Sequence, residues 1–73
     1  MRWHEYERKE TRLRKDQYGR LTAASRRLNK LRRGRGERIT ENALIRVAID
    51  ILLNEEAQLA GVDETALRQS VGL

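Results

Sequence analysis

Residues 38–53 read Arg38-Ile39-Thr40-Glu41-Asn42-Ala43-Leu44-Ile45-Arg46-Val47-Ala48-Ile49-Asp50-Ile51-Leu52-Leu53, and this stretch decides the fold. Thr40 is placed to cap a helix start, because its hydroxyl accepts from an otherwise orphaned backbone N–H, with Ile39 before it as an apolar staple. The helix that follows is not an ordinary amphipathic one. At ~100° per residue, Leu44, Ile45, Val47, Ala48, Ile49, Ile51, Leu52 and Leu53 cover roughly two thirds of its circumference. Arg46, Asp50 and Asn54, spaced by four, form its polar stripe. Such a helix must be buried on nearly every side. No other segment carries enough apolar surface to wrap it, so a second copy of the chain is the expected cover.

Size supports that expectation. The chain has 73 residues, enough for one small domain that buries only ~60% of its unfolded surface and often needs a staple. It has no cysteine and a single histidine, His4, so disulfides and a zinc site are excluded. Oligomerisation remains. The lack of cysteine fits a reducing cytoplasm, no apolar run approaches the ~20 residues of a membrane span, and the basic start lacks a signal-peptide core. The sequence thus reads as a cytoplasmic protein with no membrane partner.

Charge is divided between the two halves. Residues 1–38 hold 14 Lys or Arg against 5 acids, and residues 39–73 hold 2 against 6. A net +9 beside a net −4 points to a polyanion, most often nucleic acid. A solvated face that aids solubility is the plainer alternative, but solubility does not require segregation by halves.

Residues 1–7, with Trp3 and Tyr6, read as an arm. Residues 8–13 carry no helix-start signal and end in a Thr-Arg-Leu-Arg alternation, which predicts a short strand. Asp16 is the predicted N-cap of a helix over 17–33, with Tyr18, Leu21, Leu28, Leu31 and the small Ala24 near one face. Gly19 in its first turn costs ~1 kcal/mol against Ala, and the sequence does not explain it. Gly34-Arg35-Gly36 breaks that helix. The main helix is predicted from 41 to about 59, Gly61 stops it, and Asp63 caps a short helix over 64–71. The predicted division is an arm (1–7), a DNA-binding and dimerisation domain (8–60) and a short acidic helix or tail (61–73).

A strand followed by two helices, in a basic chain that needs a partner, resembles the ribbon-helix-helix DNA-binding family. The resemblance spans about 8–59 and is sharpest at Thr40 with Leu44-Ile45-Arg46 and Ala48, a capped second helix with a Leu/Ile-Arg-x-Ala core. It implies a mostly α fold with one short strand, an intertwined homodimer whose strands pair into an antiparallel β-ribbon in the major groove. The second helices would then cross in the dimer core, for which Leu13, Leu21 and Leu28 join Leu44, Ile45, Ala48, Ile49 and Leu52. The family's small members serve as plasmid-partition (centromere-binding) proteins or transcriptional repressors on repeated or palindromic sites. Some engage a partner ATPase through an arginine in the N-terminal arm, a role open to Arg2 by analogy, though this arm is shorter than the resemblance implies.

Alternation in the predicted strand sends Leu13, Thr11 and Lys9 toward the core and Arg8, Glu10, Arg12 and Arg14 outward as base contacts. Arginine suits this because its planar fork binds guanine O6 and N7 together. Glu10 can accept from a cytosine amino group or pair with Arg12 of the other strand. A register shifted by one presents Lys9 and Thr11 instead, and a charged edge that deters aggregation is the plainer alternative. Phosphate contacts are expected from the backbone N–H groups of Glu41 and Asn42 beyond Thr40, helped by Arg33, Arg35 and Arg38. Arg46 and Asp50 read as a structural i,i+4 pair, Trp3 and Tyr6 as cover for the core edge, and His4 as solvated. The sequence holds no nucleophile–base constellation, paired carboxylate site, phosphate-cradling glycine loop or metal spacing, so no enzyme activity and no cofactor are expected. Two alternatives remain: an antitoxin that holds a toxin with its acidic tail, and an RNA- or membrane-binding protein that uses 17–33 as a basic helix.

Overall fold

A polar clamp, not an apolar core, joins the two long helices. The computed structural model describes residues 5–73. It contains α1 (Lys15–Arg32), α2 (Glu41–Asn54), a 3-10 turn (Glu56–Gln58) and α3 (Glu64–Ser70). Trp3, His4 and Arg2 lie outside the described residues.

The fold is all-helical among the described residues, which corrects the strand and the intertwined β-ribbon expected above. Residues 8–13 form neither helix nor strand. The physical reason lies in both backbone and side chains. A strand must pair its N–H and C=O groups with a neighbouring strand, and among the described residues of the chain no second strand receives them. Lys9, Glu10 and the flanking arginines also lack the β-branched or aromatic surface that favours a pleat.

α1 begins earlier than the sequence predicts. Its N-cap is Arg14, whose backbone N–H donates to Gln17 Oε1 at 3.0 Å. Arginine has no acceptor, so only this return half of a capping box forms. Asp16 does not cap; its carboxylate accepts from Arg14 Nε and Nη2 at 2.9 and 3.1 Å. At the other end Arg33 takes the left-handed conformation (φ 49°) before Gly34, a position that costs a non-glycine residue about 1–2 kcal/mol.

Thr40 caps α2: its Oγ1 accepts from the Ala43 N–H at 3.1 Å. α2 ends at Asn54, short of the predicted 59. Glu55 and Glu56 oppose the negative end of the helix dipole, and its last turn holds no cation. The Asp63 carboxylate caps α3, accepting from the Ala66 N–H at 2.8 Å. Gly61 is required there, because a Cβ would stand 2.6 Å from the Ala66 Cβ.

Among the described residues only Ser25 is buried, and no apolar side chain is. The accessible surface is 7200 Å², whereas a folded monomer of 8.6 kDa exposes about 4700 Å². The radius of gyration is 14.7 Å, against roughly 11 Å for a compact domain of this length. The excess, about 2500 Å², measures how open one chain is on its own.

Candidate nucleic-acid interface

Thr22, Ser25 and Asn29 fall at helical spacing on one side of α1 and meet the start of α2. Asn29 Nδ2 donates to the Ile39 carbonyl at 2.8 Å, and its Oδ1 accepts from the Ile39 N–H at 2.9 Å. Ser25 Oγ donates to the same carbonyl at 3.0 Å, and the Thr22 hydroxyl donates to the Glu41 carboxylate. Arg32 donates to Asn29 Oδ1 and to the carbonyls of Arg35 and Gly36. Together these bonds fix the turn and aim the start of α2. The sequence reading missed this set, although a Thr-x-x-Ser-x-x-x-Asn spacing on a basic helix was a visible signal.

Removing Asn29 is therefore expected to loosen the whole corner. Asn29→Ala strands the Ile39 N–H and leaves its carbonyl with Ser25 alone, at a cost of about 1–3 kcal/mol. That lowers the melting temperature by several degrees per kcal/mol in a domain of this size. Thermal circular dichroism reads the effect directly, and a melt equal to wild type would contradict the clamp.

The phosphate-binding candidates gather around this corner. Ser25, Arg38, Thr40, Glu41 and Asn42 line a cleft of about 200 Å³. Thr40 uses the Ala43 N–H, so the N–H groups of Glu41 and Asn42 stand at the helix start without intrahelical acceptors. Arg33 and Arg35 are exposed on the preceding turn; Arg35 donates from its backbone N–H and its Nε to the Arg32 carbonyl at 2.9 and 3.3 Å, which leaves its terminal nitrogens outward. Arg32, which adjoins them, serves the turn itself.

Residues 8–14 behave differently from an alternating strand. Arg8 pairs with Glu10 and Arg14 with Asp16 on the same chain. Glu10 thus has a partner two residues away. The hydrogen bond from Arg14 holds the Asp16 carboxyl below the usual carboxylate range, and the same bond raises Arg14 further. Their pairing persists at neutral pH and is lost only as pH falls through the depressed Asp16 value. Arg12 is exposed and has no ion-pair partner among the described residues. It alone of the expected arginine readers remains unengaged. No protein-family model, curated protein or solved structure matches this chain.

The segment before α1 lies across α2. Residues from Glu5 to Lys9, with Thr11, line a cavity of about 510 Å³ together with Asn42, Ile45, Arg46 and Ile49. The Arg46 guanidinium sits 4.6 Å from the Tyr6 ring centroid, a cation–π contact. No Arg46–Asp50 ion pair forms, contrary to the sequence reading. Tyr6 is half-buried there, consistent with its expected role as cover.

The expected dimer-core residues converge on one open surface. Leu13, Leu21, Leu44, Ile45, Ala48, Ile49 and Leu52, with Gln17, line an apolar groove of about 330 Å³. Leu28 is half-buried outside that lining. Val71 and Leu73 lie near Ala48, Ile51 and Leu52, so the acidic C-terminal segment folds back along α2.

Proposed function

We propose that this chain is a cytoplasmic, sequence-specific duplex-DNA-binding protein that acts as a homodimer. The observation that carries the reading is the segregation of two unsatisfied surfaces. The α2 face is apolar and open, with Ile49, Ile51 and Leu53 about half exposed. The turn is cationic and open, with Arg33, Arg35 and Arg38 all exposed, and Arg12 stands exposed before α1. A second copy supports the first surface through the hydrophobic effect, and a phosphate backbone supports the second through charge. Arg12 is the base-reading candidate; Arg33, Arg35, Arg38 and the start of α2 hold phosphates. The ribbon-helix-helix resemblance contributes the expectation of DNA binding, with partition and repression as the cellular roles it implies. A partition ATPase or a toxin is the further protein partner those roles would bring. Among the described residues no helix is long and apolar enough to cross a membrane.

Fluorescence anisotropy with duplex DNA and RNA of equal length tests the reading. Duplex is expected to bind more tightly, and equal or tighter RNA binding would favour the basic-helix alternative. Affinity should fall steeply with salt, because each phosphate contact contributes a slope of about 0.9 in log K against log salt. Arg35→Ala is expected to weaken all duplexes alike and to flatten that slope by roughly one contact. A change of base preference at one position would instead make Arg35 a reader.

A further inference from the structure

Several α1 cations serve neither the clamp nor the groove. On the helix, Thr22, Ser25 and Asn29 take the side toward α2, while Gln17 and Leu21 line the apolar groove. Arg20, Arg26, Arg27 and Lys30 occupy the remaining arc, all exposed and none with an ion-pair partner among the described residues. Asp16, the acid on that arc, is already held by Arg14. Gly19 and Ala23 lie in the middle of the arc and are exposed. A Cβ at Gly19 would meet nothing within 4 Å. The fold does not need that glycine, which weakens the helix.

We propose that the outward face of α1 is a second duplex-binding surface, which grips the DNA phosphate backbone without reading bases and lets one dimer hold two duplex segments. The inference rests on the DNA-binding reading above and adds residues which that reading does not use. Charge complementarity selects the occupant. Four unneutralised cations spread over roughly 15 Å of helix axis suit a rod of closely spaced phosphates. Leu31, 60% exposed, borders the face on its groove side, while the arc between Arg26 and Arg20 carries no large apolar side chain for a protein partner. Gly19 and Ala23 leave the middle of the face low, so the flanking side chains reach the phosphates while the helix backbone approaches closely.

A capture experiment with the full chain tests it. A bead-bound duplex is loaded with protein, washed, and offered a fluorescent second duplex of the same sequence. Wild type is expected to retain the second duplex. The variant Arg20→Gln/Arg27→Gln/Lys30→Gln should hold the first duplex within about three-fold of wild type and capture at least about ten-fold less of the second, since three phosphate contacts per chain are gone. Gly19→Gln leaves the charge unchanged but fills the approach, and should lower capture with the first binding intact. Circular dichroism confirms that both variants keep their helices. Capture by the triple variant equal to wild type, or no capture by wild type that binds the first duplex, overturns the second surface and leaves DNA binding standing. A wild-type chain that binds no duplex overturns both.

Discussion

Ile49→Asp is expected to abolish the dimer and the helices together. In one chain Ile49 is 49% exposed on α2, so a carboxylate there would cost little if the chain worked alone. Covered by a second copy, the same carboxylate is desolvated without a cation to pair with, at a cost of several kcal/mol. That rivals the whole stability of a small domain. Val62→Asp supplies the control, because Val62 is fully exposed, its change leaves Gly61 and the Asp63 cap in place, and exposed substitutions usually stay within about 0.5 kcal/mol. Sedimentation and circular dichroism should show loss of mass and of helix in the first variant and neither in the second. An Ile49→Asp chain that melts like wild type would place the α2 face in solvent.

Arg12→Ala carries the second large effect, on specificity. Arg8 and Arg14 are already engaged by Glu10 and Asp16, which leaves Arg12 with its planar fork available for a guanine edge. Losing a bidentate base contact costs about 1–3 kcal/mol of discrimination at each position read. Two-fold symmetry of a dimer repeats the loss in both half-sites. Selection on randomised duplexes should therefore show the preference relaxing at two symmetric positions while nonspecific affinity falls much less. Lys9→Ala should leave the selected sequence intact. The reverse outcome, with specificity lost in Lys9→Ala and kept in Arg12→Ala, would move base reading to Lys9.

The helices were legible because their signals are local. Thr40 and Asp63 announce the starts of α2 and α3 by side-chain chemistry alone, and the apolar run after Thr40 marks the surface that needs covering. What misled was equally physical. The Thr-Arg-Leu-Arg alternation resembles a strand, but a strand is a property of two segments, and among the described residues nothing pairs with 8–13. Asp16 resembles a cap by residue type, yet Arg14 lies two residues before it and captures its carboxylate. The run past Asn54 keeps its apolar spacing while Glu55 and Glu56 set charge against the helix end. For the candidate site, the arginines around the turn were visible as a cluster, whereas their roles were not. Arg32 bonds the turn's own carbonyls and Arg35 Nε returns to the Arg32 carbonyl, and only the folded corner separates both from Arg33. The Arg46–Tyr6 contact joins residues forty apart in sequence, beyond the reach of any periodicity.

The mass of the complex with duplex DNA tests the central claim most directly. Sedimentation of the 8.6 kDa chain with a duplex of about 20 base pairs, two turns long, should give as its lightest protein-containing complex the duplex with two chains. A duplex carrying a single chain, or no complex at all, would contradict a DNA-binding dimer.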